Sequence, residues 1–248
     1  MDRLLYLAMS GANQDMNSLT ARANNLANAT TTGFKADFAQ ARAMQAYGEG
    51  LPTRVFAMSE RPGQRFEAGP LQTTDRALDV AVAGDGWLAV QGAKGTEGYT
   101  RAGNLKLSET GLLETAKGEL VLGDNNAPIA VPLPYNKLEI GGDGTVSVLP
   151  QGAPSNAMEV VGRIKLVNPD VRNLDKGEDG LFRQKDGTQA QADANVRLVQ
   201  GALEGSNVNP VEEMTALIDL QRQFELQMKM MKTAEDMDAS DNNLLRLS

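Results

Sequence analysis

Carboxylates gather at residues 175–186, where Asp175-Lys176-Gly177-Glu178-Asp179-Gly180 is followed by Asp186. Oxygen ligands at alternating loop positions would hold calcium, but the third position is Gly177, which offers no side-chain oxygen. The stretch reads instead as a Gly/Asp hairpin. Gly92, Gly95 and Gly98 surround Lys94 much as in a phosphate loop, yet the Gly-Lys-Ser/Thr ending is missing, so a hairpin loop is expected. The acid pairs Glu212/Glu213 and Asp236/Asp238 could do acid–base work only across a cleft; on helix surfaces they are expected to be solvated. Met228, Met230 and Met231 offer soft sulfur ligands, but helical packing accounts for 228 and 231. Asn28-Ala29-Thr30 matches a glycosylation sequon at the end of a patterned helix and is read as coincidence.

The chain has no histidine and no cysteine. That removes the commonest general base, thiolate chemistry, disulfides and nearly all zinc sites. No catalytic residue, cofactor-binding residue or metal ligand is expected, and no cofactor. With 24 basic against 32 acidic side chains, the formal net charge is -8 and the basic residues form no cluster. Nucleic acid and anionic lipid surfaces are therefore unlikely partners by charge alone. The apolar run at 4–9 is too short for a cleavable signal peptide, and no stretch suits a membrane span, so no lipid insertion is expected, and any export would follow a route that leaves no cleaved leader.

What remains is a question of elements. Leu5, Met9, Ala12, Met16, Leu19, Ala23 and Leu26 repeat at four, three, four, three, which is a heptad seam on an N-terminal helix. Asp2 suits its start, and Gly33 stands where a left-handed cap would end it. Asn209-Pro210 suits the start of a second helix, along which Met214, Leu217, Phe224, Met228 and Met231 form a matching stripe interrupted by Gln221. Between them the period drops to two, at Leu78/Val80/Val82, Leu105/Leu107, Leu138/Ile140 and Val146/Val148. Asp-Gly pairs at 85–86, 143–144, 179–180 and 186–187 read as turns. The expected fold class is α+β. Residues 1–33 and 206–248 are terminal helices pairing as a coiled coil, 34–70 an extended connector, and 71–205 a mainly antiparallel β-domain.

The N-terminal helix ends oddly, on Asn24, Asn25 and Asn28 followed by three threonines, Gly33 and Phe34. Three asparagines in place of alanine cost a helix on the order of 1–2 kcal/mol. Two readings account for them: a frayed last turn capped locally, or amides satisfied by neighbouring subunits, where buried polar groups set register. On the second reading the segment orders only on assembly.

The stretch "NNLANATTTGFK" (24–35) resembles the N-terminal motif of bacterial flagellar axial proteins, the rod and hook family. So do "LDVAVAGDGWLAVQ" (78–91), "YTRAGNLKLSETGLLETAKGELVLG" (99–123) and "GALEGSNVNPVEEMTALIDLQRQFE" (201–225), in the same order. Within that family the start and compact length are most like the proximal-rod members that adjoin the distal rod. Trp87-Leu88 and Phe224 depart from the commonest pattern while keeping apolar bulk.

The resemblance implies a structural subunit, not an enzyme, of a helical tube that transmits torque. It implies export through the flagellar type III apparatus, with other rod proteins and copies of itself as partners. The seam residues above, with Asn24, Asn25 and Asn28, are the expected assembly interface. A distal-rod or hook subunit is the near alternative. A ligand-binding β-domain dimerised by terminal helices is the distant one.

Overall fold

The apolar run Trp87-Leu88-Ala89-Val90 is buried on both faces, which is why it does not alternate. The structure is a computed structural model describing residues 2–39, 41–45, 55–59, 63–93, 95–154 and 157–246. In it the strand Trp87–Gln91 is central: one edge pairs with Glu97–Thr100, and the other is shared by Leu166–Val167 and Leu120–Val121. Leu88 and Val90 point into a large aliphatic core with Val80, Leu105, Leu113, Val146 and Ile164. Trp87 and Ala89 point the other way, into a smaller cluster with Tyr99, Leu174 and Phe182. The Trp87 and Phe182 rings stand 4.7 Å apart, with Phe66 closing the group.

Every described ladder is antiparallel, and the alternating pairs from the sequence take their expected places. Tyr135–Ile140, Thr145–Pro150 and Glu159–Arg163 form a three-stranded sheet; Val80–Ala83 pairs with Arg197–Gln200 and Leu71–Thr73 with Ala202–Glu204. Asp143-Gly144 and Asp179-Gly180 turn true hairpins. The other two Asp-Gly pairs do not. Val80–Ala83, before Asp85-Gly86, pairs with a distant strand, and no strand directly follows Asp186-Gly187. A local turn signal cannot say which strand the chain will pair with next. The Gly92–Gly98 loop joins two paired strands as a hairpin, Lys94 itself lying outside the described residues.

The chain divides into two units. The β-unit comprises residues 66–207 with 30–34. The other comprises 1–29, 35–65 and 208–248, and holds both helices. Helix α1 spans Asp2–Ala27 and helix α2 spans Pro210–Arg246. Asn209 caps α2 as expected, its Oδ1 accepting the Val211 N–H at 3.1 Å. The two helices pack against each other, and α1 also packs against Val55–Ser59. That strand belongs to the stretch expected to be an extended connector. There Ala41–Gln45 pairs with Val55–Ser59, and Asp37–Phe38 with Gly63–Gln64. Weak periodicity hid two short antiparallel ladders, one of five-residue and one of two-residue strands.

Burial pushes the Tyr99 phenol up to about 12 from its usual 10; the Ala190 N–H, 2.7 Å from Oη, pulls the other way, and Glu97 adds to the rise. The native state therefore keeps this proton to higher pH than the unfolded chain. Its contribution is complete below pH 10 and is lost as pH rises toward 12, on the order of 2 kcal/mol in all. Urea titrations at pH 9 and 11.5 should show that fall. Tyr99→Phe should lose about 1 kcal/mol at pH 9, from the missing hydrogen bond. It should then show a shallower alkaline decline.

Candidate functional site

The asparagines at the end of α1 are engaged within their own chain. The Asn25 side chain, 1% exposed, pairs with the backbone of Asp37: its Nδ2 donates to the Asp37 carbonyl at 2.7 Å and its Oδ1 accepts the Asp37 N–H at 2.8 Å. It imitates the edge of a β-strand. The same Nδ2 lies 3.3 Å from Glu213 Oε1, and Arg22 Nη1 reaches both Glu213 oxygens at 3.1 and 3.2 Å. Asn24 Nδ2 donates to Asp37 Oδ2 at 3.1 Å, and Asn28 Nδ2 turns back to the Asn24 carbonyl at 2.9 Å.

These bonds give the amides partners in their own chain and correct one expectation. The partners of these amides lie in the same protomer, so the asparagines join α1, the strand Asp37–Phe38 and the first turns of α2. Glu213, expected to be solvated, is buried and paired. Its spacing gave no sign of this, because the partner that buries it is 191 residues away. Only Asn25 is buried among the three; Asn24 is exposed and Asn28 half-buried.

The difference makes a test. Asn25→Ala gains a few tenths of a kcal/mol of helix propensity and loses three hydrogen bonds beside a buried carboxylate, a net loss of about 1–3 kcal/mol. Asn24→Ala should cost under about 0.5 kcal/mol. Circular dichroism melts of the helical signal would separate the two; equal effects would mean that the buried amide carries nothing.

Gly33 does not cap α1, whose last helical residue is Ala27. Its φ of +68° is left-handed as expected, but its use is close approach. A Cβ there would lie 2.3 Å from the Arg101 carbonyl carbon. The Gly33 N–H donates to the Glu204 carbonyl at 2.7 Å, the Asn207 N–H to the Phe34 carbonyl at 3.3 Å, and Lys176 Nζ sits 4.2 Å above the Phe34 ring. The Gly-Phe of the motif is thus a docking segment on the β-unit.

Of the expected seam, Ala12 is buried and Leu5, Leu19 and Leu26 are half-buried, while Met9, Met16 and Ala23 are exposed. On α2, Leu217, Phe224 and Met231 are half-buried, and Met214 and Met228 are about half exposed. Small residues explain the rotation. Ala8 and Ala12 are the buried apolar positions, and Gly11 meets the Gln227 side chain, so α1 turns its slim face inward and its methionines outward. The partners Gly11/Gln227 and Arg22/Glu213 run in opposite chain directions, so α1 and α2 are antiparallel.

The remaining candidates are accounted for by local bonds. Arg183 holds the Asp179 carboxyl below its usual range, helped by the Leu181 N–H, which fits a hairpin and not a calcium ligand. Thr145 and Thr188 do the same for Asp143 and Asp186 through their backbone N–H groups. An open groove of 540 Å³ is lined by Arg76, Tyr135, Lys137 and Glu139 among others, but its cations are paired, Arg76 with Asp79 and Lys137 with Glu139.

What the arrangement can do is fix segments in place and present apolar helix faces, which is the work of a structural assembly protein. Residues 81–148 match the flagellar hook protein FlgE/F/G D1 domain, and 199–244 the flagellar basal body rod FlgEFG protein C-terminal region. The chain is 43% identical over 254 residues to flagellar basal-body rod protein FlgF of Escherichia coli, covering the whole of both chains. It is 37% identical to FlgF of Caulobacter vibrioides over 97% of this chain and 96% of the relative. It is 31% identical to flagellar basal-body rod protein FlgG of Bacillus subtilis over 99% and 100%. The chain belongs to the flagellar basal-body rod family, whose members are structural proteins of the flagellum and not enzymes.

Proposed function

We propose that this chain builds the proximal part of the flagellar rod, assembling with other axial proteins and with copies of itself into a shaft that carries torque. The observation that carries the reading is the full-length similarity to proteins named FlgF, joined to a pair of helices with apolar side chains turned to solvent. Tyr6, Met9 and Met16 on α1, and Met214, Ile218, Leu226 and Met228 on α2, are each more than two-fifths exposed. A lone subunit gains nothing from exposing them; neighbours that bury them gain roughly 1.5–3 kcal/mol for each large side chain covered. Contacts of this kind, repeated head to tail without closing a ring, extend into a helical tube. Within the tube the antiparallel helices act as a coiled coil. Among the described residues no helix is long and apolar enough to cross a membrane, and on this reading the subunit leaves the cytoplasm through the flagellar type III apparatus.

The test is genetic and local at once. A strain lacking the chain should stop at the proximal rod and not swim, and tagged wild-type protein should restore motility and appear in purified basal bodies. Met214→Asp with Met228→Asp should leave the purified subunit's melting within about 2 °C, as exposed substitutions do, and still fail to restore swimming. Tag found only in the hook would favour the hook alternative. Swimming by the double variant would remove the α2 stripe from the interface.

A further inference from the structure

The β-unit contains a buried ion pair beside the places where the chain enters and leaves it. Arg101 and Glu204 side chains are 5% and 1% exposed, with Nη1 2.9 Å from Oε2. Glu204 Oε1 accepts the Gly69 N–H at 3.0 Å, and the Glu204 carbonyl accepts the Gly33 N–H. Arg101 Nη2 donates to the Gly84 carbonyl at 2.9 Å, and the guanidinium lies 5.3 Å from the Trp87 ring centroid. Three passages of chain meet here: 30–34, 66–70 and 204–207. Glycines let them touch, since a Cβ at Gly69 would stand 2.1 Å from the Gly205 carbonyl oxygen, just as one at Gly33 would strike Arg101.

Stability alone does not call for charges at this point. A buried ion pair is often matched by well-packed apolar residues of similar volume. What apolar residues lack is direction: a carboxylate with two lobes, each aimed at a different segment, selects one seating for all of them. We propose that Arg101 and Glu204 form a clamp that seats these passages on the β-unit, so that pulling on the chain at 30–34, 66–70 or 204–207 loads one rigid node. The seating is a property of the free subunit; its use under load rests on the rod reading above.

Full-length protein carrying Arg101→Met with Glu204→Leu removes both charges together and leaves neither stranded. Glu204→Gln, which keeps an acceptor for Gly69, is the milder partner should the double variant fail to fold. Followed by NMR, amide exchange at Gly33 and Gly69 should quicken by about tenfold or more in the double variant and by less, though measurably, in Glu204→Gln, while core amides such as Val90 and Leu113 hold their rates. Emission from Trp87, the chain's one tryptophan, should shift as the cation leaves its face. Unchanged protection at both glycines would overturn the clamp, as would equal quickening across the core. Quickened exchange in a variant whose strain still swims normally through viscous medium would uphold the seating and overturn its use under load.

Discussion

Lys165→Met should destabilise the β-unit by about 3–5 kcal/mol, a large loss for one side chain. The Lys165 and Glu97 side chains are 4% and 3% exposed, and the ammonium nitrogen sits 2.8 and 3.0 Å from the two carboxylate oxygens. Asn126 Oδ1, at 2.8 Å, accepts a third bond. Methionine nearly conserves the volume and so opens little cavity; what it leaves is a buried carboxylate with its cation gone. The backbone around it is fixed: Lys165 N–H bonds to the Leu122 carbonyl, and its own carbonyl accepts the Ala89 N–H, so the side chain cannot swing out to relieve the charge. For a unit of this size the midpoint should fall by about 6–20 °C. Glu97→Met added to Lys165→Met should recover most of the loss, because the pair goes together. A single-variant loss under about 1 kcal/mol, measured by urea unfolding, would show the pair to be solvated.

That pair could not be read from the sequence, and the reason is general. Lys165 stands in the apolar run Ile164-Lys165-Leu166-Val167, where a lysine reads as the solvent side of a strand. Its burial is decided by Glu97, on a strand 68 residues earlier. Arg101 with Glu204 and Arg22 with Glu213 are hidden in the same way, 103 and 191 residues apart. By contrast, Val146/Val148 and Leu138/Ile140 were legible, because a half-buried strand advertises its face every second residue. The helices were legible as helices from caps and spacing. Their inward faces were not: a heptad count weights large apolar residues, whereas the apolar residues that α1 buries are Ala8 and Ala12, with Gly11 between them against Gln227 of α2. The asparagines announced themselves by their helix-averse chemistry, yet the identity of their partner, the backbone of Asp37, depended on a two-residue strand that carries no period at all.

Gly33→Ala should undock the segment 30–34 and abolish rescue of motility. Alanine at a φ of +68° costs about 1–2 kcal/mol by itself. The larger effect is collision. The new methyl would stand 2.3 to 2.5 Å from Arg101 C, Ala102 N and Arg101 O, all backbone atoms of a buried segment that cannot rotate aside. The segment must lift instead, which breaks the 2.7 Å bond to the Glu204 carbonyl and draws Phe34 from under Lys176. Together these losses come to about 3–5 kcal/mol of local docking energy, enough to leave the segment mostly unseated. Gly187→Ala is the control. Its φ is +72°, nearly the same, but no atom lies within 4 Å of the added methyl, so it bears the conformational cost alone. Gly187→Ala should lower the midpoint by a few degrees and still swim. Gly33→Ala should show fast exchange across 30–34 and no swimming. If the two variants behave alike, the glycine of the motif is there for its backbone angle and not for the contact.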